Sequence, residues 1–445
     1  MAALITAQNC FVPRPKEEEE EIERIYKGYR DIMATLPKYR GWSTLHLCQY
    51  QGFWFQPKIG LEGVMWVQQR FKPRPTDVYL ATNPKSGTTW LKAIVFSIMN
   101  RKRYNNFTTD HPLLKFSPHE VVPFMELDLF RTTPIADPEI LPSPRILATH
   151  IAYNMLPESI QNSSCPIVYI CRNPKDVFVS FWQFSVKMRP KDLPELSFEE
   201  AFDLFCHGVT PCGPFWDQAL GYWKASVEFP NRVLFLKYED MKTEPLLCTK
   251  RIAEFLGQPF SLQEEENGIV QEIVKLCSFE NMSNLEVNRN GKSRVRAEVK
   301  NDVFFRQGKV GDWKNHLTDE MIERLDQITK HKFDGTGLIV DAWIDHHTTP
   351  SPVEQLTADC SLCCSSPVGY HVISPLGFSI FSSSLASLTG PPVGFVADCS
   401  LSPLLSSIEF VGSVALITVR SASPSSSKNQ SIKMMMIFYD NNDYA

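Results

Sequence analysis

Lys85, Ser86, Gly87, Thr88, Thr89 and Trp90 place one ammonium, three hydroxyls and a glycine in six consecutive positions. Residues 76–82 before them read as a short buried strand. Residues 88–99 after them carry helical apolar spacing at Leu91, Ile94, Val95 and Ile98. At such a junction the first N–H groups of the helix have no internal partner and sit at the positive end of its dipole. A phosphate there would be held by bare amides, by the hydroxyls of Ser86, Thr88 and Thr89, and by Lys85. The order is not the Walker one, in which the lysine follows a glycine-rich loop of fixed length. Here it precedes the single glycine, which points to a different phosphate-bearing ligand. Taken alone, the run also fits a small-residue turn that binds nothing.

Arg172 and Ser180 mark a second anion site. An apolar strand over 167–171 ends at Arg172, and Pro174 suits the first position of the next helix. Ser180 then lies roughly 9 Å along that helix. Groups at a strand's carboxyl end and at the following helix start converge on one ligand in open α/β sheets. A guanidinium fork suits a terminal phosphate, although a salt bridge from Arg172 to Asp176 is an equally simple use of it. Between the two sites, residues 146–149 read as another buried strand that ends at His150, an imidazole able to take a proton from a hydroxyl. A third basic cluster has Arg306, Gln307, Gly308 and Lys309 between aromatic residues. It reads as a loop closing over a flat charged ligand, or as two solvated cations.

The elements needed to hold these groups are those of an α/β fold. Residues 233–238 form a further buried strand, with helices expected over 243–256 and 318–329. Residues 1–40 contain an acidic run, Glu17 to Glu21, within an amphipathic helix with an apolar face at Ile22, Ile25, Tyr26, Tyr29 and Ile32. The stretch 41–72 is rich in aromatics (Trp42, Tyr50, Phe53, Trp54, Phe55, Trp66).

Five blocks in this order (84–90, 149–150, 171–176, 238–240 and 306–314) make the chain resemble the cytosolic sulfotransferases, and most closely their plant branch. The resemblance runs from about Gly41 to about Leu338. It implies a single P-loop-like α/β domain with a central, mostly parallel sheet flanked by helices. It implies 3′-phosphoadenosine 5′-phosphosulfate as the donor, with no metal. Lys85, Ser86, Gly87, Thr88, Thr89 and Trp90 would grip its phosphosulfate end, with Trp90 near the adenine. Arg172, Ser180, Arg306, Gln307 and Gly308 match the family's 3′-phosphate ligands. Tyr238 matches a nucleotide contact, and residues 277–282 a stretch lining the adenosine. The aromatic stretch 41–72, with His111, Pro112 and residues 117–125, would form the acceptor pocket.

A mechanism follows from this set. His150 would take the proton of an acceptor hydroxyl for in-line attack on sulfur, and Lys85 would neutralise charge growing on the leaving phosphate. The transferred group carries less charge than a phosphoryl, so no divalent ion is demanded, and no His/Cys/carboxylate set has metal-ligand spacing. Two positions depart from the family pattern. Gln307 stands where a lysine is usual, which predicts weaker donor binding without loss of activity. Thr82 and Asn83 precede the loop where an aromatic is commoner, a change of packing. A nucleotide-binding relative without turnover is an alternative; intact Lys85, His150, Arg172 and Ser180 argue against it. A hydrolase or kinase would need a Walker lysine and a magnesium-binding acidic strand end, and the chain has neither. The acceptor is expected among flavonoid-type phenols first, then steroid-like hormones, hydroxylated fatty-acid derivatives or desulfo-thioglucosides.

Composition sets the remaining bounds. A net charge of −5 gives no reason to expect nucleic-acid or anionic-membrane binding. No apolar stretch is long and uncharged enough to span a bilayer, and the first residues lack the basic n-region and apolar h-region of a secretory leader, so none is expected. Twelve cysteines without paired spacing suggest reduced thiols and a cytoplasmic location. Residues 314–323 partly resemble a dimer contact of the animal enzymes, but Asp319 replaces its valine, so a monomer or weak homodimer is expected. The domain reading is a helical, charged lead (1–40), a sulfotransferase domain (41–344) and a low-order extension (345–445). The extension has 21 serines, three basic and seven acidic residues and no tryptophan, and it lacks steady helical or strand periodicity.

Overall fold

The structure, a computed structural model, describes residues 15–129, 141–292, 299–340, 343, 405–411, 414–420 and 431–437. The chain divides into two units, residues 1–346 and 347–445.

The first unit opens with helix α1 (Lys16–Thr35) and a small antiparallel sheet of β1 (Lys38–Arg40), β2 (His46–Tyr50) and β3 (Phe53–Phe55), followed by α2 (Glu62–Arg70). The central sheet then alternates with helices: β4 (Val78–Thr82), α3 (Thr88–Asn100), α4 (Pro118–Val121), β5 (Ile146–Thr149), α5 (Glu158–Gln161), β6 (Ile167–Cys171), α6 (Pro174–Met188), α7 (Phe198–Cys206), α8 (Phe215–Glu228) and β7 (Val233–Lys237). Helical residues follow as α9 (Tyr238–Thr243), α10 (Pro245–Phe255), α11 (Leu262–Glu266), α12 (Ile269–Leu276), α13 (Phe279–Asn284), α14 (Glu286–Arg289) and α15 (Asp319–Phe333).

The four strands are parallel in the order β5-β4-β6-β7. Their residues are apolar on both faces because helices cover both. Tyr79, Leu147, Tyr169 and Phe235 enter one core, together with α2, α6 and α8. Leu80, Ala148, Val168 and Leu236 enter the other, with α3, α10 and α12. At the amino ends of β4 and β5 the fully buried Arg145 guanidinium grips Asp77 at 2.6 and 2.8 Å, and Tyr79 donates to the same carboxylate at 3.1 Å. Such a pair is tolerable in a core only because both charges are fully hydrogen-bonded.

Several sequence expectations need adjustment. Strand β4 begins at Val78 because Asp77 is committed to Arg145. In α1 the buried stripe is Ile22, Tyr26, Tyr29 and Met33, and Ile32 is exposed. Most aromatics of 41–72 are structural. Trp42 is fully buried against Phe181, ring centroids 5.0 Å apart, and Trp66 stacks on Tyr26 at 5.3 Å. Helix α15 runs past Thr329 to Phe333, tied to α6 by the Lys175–Asp326 pair at 2.5 Å.

In the second unit three strands, β8 (Leu405–Val411), β9 (Val414–Arg420) and β10 (Ser431–Ile437), pair antiparallel in the order β10-β9-β8. The sequence reading expected no regular element there. Leu416 and Ile417 are adjacent, and Met434, Met435 and Met436 are consecutive, so no period-two signal marks these strands. The rest of the extension lies outside the described residues.

Candidate active site

Strand order decides where the site lies. The connection leaving β4 runs toward β5 and the one leaving β6 runs toward β7, so a crevice opens beyond the carboxyl ends of β4 and β6. The loop 83–87 and Arg172 follow those two ends directly. A cavity of about 360 Å³ fills this crevice.

The loop between β4 and α3 needs unusual backbone. Lys85 has φ +70° and Gly87, the residue preceding α3, φ +107°. The first helical bond joins Leu91 N–H to the Gly87 carbonyl at 3.0 Å, so the amides of Thr88, Thr89 and Trp90 form the acceptor-free first turn. A side chain at position 87 would lie 2.8 Å from the Tyr238 ring, and one at Gly308, φ +61°, would lie 2.4 Å from Phe279. Both glycines keep the walls of a narrow slot apart.

Every residue expected to catalyse or to hold the donor lines this cavity except Ser86, and Lys309 beside them does not. Ser86 is buried behind it, its Oγ without a partner. Arg172 is held from several sides. It donates to the Lys85 carbonyl at 3.2 Å and the Lys309 carbonyl at 2.7 Å, pairs with Asp176 at 3.5 Å, and lies 4.5 Å from the Tyr238 ring centroid. The salt bridge raised as an alternative use of Arg172 therefore exists. Asp176 in turn accepts the N–H groups of Gly311 and Trp313, at 2.9 and 3.2 Å, which pins the late loop over the site. Arg306 pairs with Asp312 in that loop. The Nε atoms of both Arg172 and Arg306 are buried with no partner. Burial of unpaired guanidinium N–H is costly, so this donor set fits the binding of an anion. Burial, and then the cations of Arg172, Arg306 and Lys187, lower Lys85 to about 7.

His150, at the end of β5, is positioned through both backbone and ring. Its N–H donates to Glu126 at 2.8 Å, and Nδ1 is 2.7 Å from the Thr82 carbonyl. A carbonyl only accepts, so Nδ1 carries the proton and Nε2 is the basic nitrogen of the neutral ring. Glu126, which also accepts from the Thr149 hydroxyl at 3.0 Å, is raised to about 7 by burial, against the pull of these hydrogen bonds.

The expected acceptor residues divide. Phe55, His119 and Phe124 line the cavity. His111 does not: it is buried on Phe107, ring centroids 5.6 Å apart, and its Nδ1 accepts the Leu113 N–H at 3.3 Å. The sequence reading missed Phe181 and Phe184 on α6, and Met241 and Lys242 on α9, all of which line the cavity. Helical phase was the available signal for Phe184, four residues after Ser180, and for Met241 and Lys242, three and four after Tyr238; Phe181, one residue after Ser180, carries no such signal. Among the described residues, no group of His, Cys, Asp or Glu is arranged to hold a metal ion, seven cysteines are unpaired, and no helix is long and apolar enough to cross a membrane.

Known proteins carry the same fold and sequence pattern. The family model for the sulfotransferase domain matches residues 75–337. Cytosolic sulfotransferase 16 of Arabidopsis thaliana is 46% identical, over 72% of this chain and 95% of its own length. Flavonol 4′-sulfotransferase of Flaveria chlorifolia is 44% identical, over 71% and 98%. A solved Arabidopsis thaliana sulphotransferase superposes with a TM-score of 0.57 at 40% identity, covering 72% of this chain and 97% of that one. A mouse sulfotransferase solved with PAP gives 0.51 at 26%, covering 65% and 94%. The chain is therefore an enzyme of the sulfotransferase family.

Proposed function

We propose that this enzyme moves a sulfonate group from 3′-phosphoadenosine 5′-phosphosulfate to a hydroxyl of a small acceptor in the cytoplasm, with flavonoid-type phenols ranking first. The observation that carries the reading is that one cavity is lined both by His150 and by the cationic cradle of Lys85, Arg172 and Arg306. The mouse neighbour's bound PAP and the flavonol sulfotransferase relative support the donor and acceptor classes.

The donor would supply the electrophilic sulfur. The first turn of α3, with Thr88, Thr89 and Lys85, would hold its phosphosulfate end. Arg172, Ser180 and the loop at Arg306, Gln307 and Gly308 would hold the 3′-phosphate, and Trp90 and Tyr238 would flank the base. His150 Nε2 would take the acceptor's proton, while Thr82 keeps Nδ1 protonated and the ring oriented. Lys85 would neutralise charge on the departing phosphate oxygen. Phe55, Phe124, Phe181 and Phe184 give the acceptor end flat apolar walls suited to a planar phenol. With Asp319 in place of valine in the segment 314–323, a monomer or weak homodimer fits best.

The test is sulfate transfer from labelled donor to the four acceptor classes, with wild type beside His150→Ala. Turnover of a phenol that falls about 10²- to 10⁴-fold in the variant, with PAP binding kept, is the expected result. Donor binding without turnover on any acceptor would favour the silent relative. Turnover that survives the substitution would remove His150 from the mechanism.

A further inference from the structure

A second histidine faces the same cavity on the other side of the donor loop. His119, in α4, has Nε2 3.0 Å from Thr89 Oγ1 and Nδ1 3.2 Å from Lys92 Nζ. Lys92 is fully buried on α3, its ammonium also 3.4 Å from the centroid of the Phe124 ring. The reaction as described uses neither residue. A buried ammonium needs an acceptor or an aromatic face to remain charged, and this one has both.

An ammonium has only donors, so the contact with Lys92 makes His119 Nδ1 the acceptor and leaves the ring proton on Nε2. Nε2–H then donates to Thr89 Oγ1. A hydroxyl that has accepted one hydrogen bond turns its own proton to another acceptor, and a chain of such bonds strengthens each member. Thr89 lines the cavity in the first turn of α3. Thr88 is fixed separately, 2.7 Å from Thr82 Oγ1, on the His150 side. The two adjacent threonines are thus each tied to a different histidine.

We propose that Lys92 and His119 are positioning residues that act through Thr89, aiming its hydroxyl proton at the anion bound at the start of α3. This rests on the donor reading above. It adds a relay of positive character that reaches the anion from beneath the loop, where Lys85 reaches it from within.

The experiment is a double-mutant cycle on the full chain. Binding of PAP and, in parallel, of inorganic pyrophosphate is measured by calorimetry, with kcat and acceptor KM, for Lys92→Met, His119→Phe and Thr89→Ala singly and in pairs. Each single variant is expected to lose about tenfold in anion affinity or kcat with the acceptor KM unchanged. In the Thr89→Ala background, Lys92→Met and His119→Phe should cost nothing further. His119→Gln, whose amide can accept from Lys92 and donate to Thr89, should recover most of the loss. Equal losses with and without Thr89, or lower thermal stability with anion binding intact, would overturn the proposal. Should wild type bind pyrophosphate but not PAP, the donor reading fails, and the same cycle on pyrophosphate still decides the relay.

Discussion

Lys85 is the residue at which the site's electrostatics can be read most directly. Burial and the cations of Arg172, Arg306 and Lys187 bring it to about 7, whereas an unfolded lysine titrates near 10.4. Above pH 7 the free site therefore holds a largely neutral amine. An anion bound beside it restores the ammonium, so binding takes up a proton between the two values, and donor affinity falls as pH rises through that range. Calorimetry at about pH 8.5 in two buffers of different ionisation enthalpy should show that uptake. Lys85→Met should abolish it, and buffer-independent enthalpies for wild type would refute the assignment. Gln307, exposed at the rim of the cavity, offers a second test. Replacing it with lysine adds a cation beside the proposed 3′-phosphate and should tighten PAP binding several-fold at low salt, less as salt rises. Unchanged affinity would mean that residue 307 does not meet the phosphate.

At the scale of elements, the slot is shaped by two loops rather than by the sheet. Gly308 has a positive φ, and a Cβ there would meet Phe279 at 2.4 Å. Gly257 also has a positive φ, +66°, but open space around it. Gly308→Ala and Gly257→Ala should therefore share a backbone cost of roughly 1 kcal/mol in stability. Only the first should weaken PAP binding, by tenfold or more, because only it pushes on the slot wall. Equal PAP affinity in both variants would show that the late loop does not close on the nucleotide.

For the whole molecule, the family match ends at residue 337, but the first unit does not. Trp343 is buried and donates through Nε1 to Glu239 at 3.1 Å, next to the cavity-lining Tyr238. A chain cut after His346 should keep PAP affinity and turnover. One cut after Leu338 should lose both in part, through a displaced Glu239 and α9. Loss of binding in the chain cut after His346 would give residues 347–445 a part in the site. Those residues carry most of the net negative charge, with six acidic and three basic side chains.

Much of this site was legible before any fold, because anion chemistry leaves a local record. An ammonium, hydroxyls and a glycine must sit within one turn to use a helix's free amides, so Lys85 to Trp90 announce themselves. Arg172 and His150 were legible because each ends an apolar run at the place where parallel strands present their ligands. What tertiary structure alone decided is which groups share a cavity. Trp42 and Trp66 have the composition of a pocket wall, yet are spent on packing. Phe181, Phe184 and Lys242 look like ordinary helix residues, yet face the cavity because their helices dock with that phase. The links from Lys92 to His119 to Thr89, and from Asp176 to the loop at 311–313, join residues up to 137 positions apart. No local pattern encodes such a pairing, because it is set by how helices pack on the two faces of the sheet.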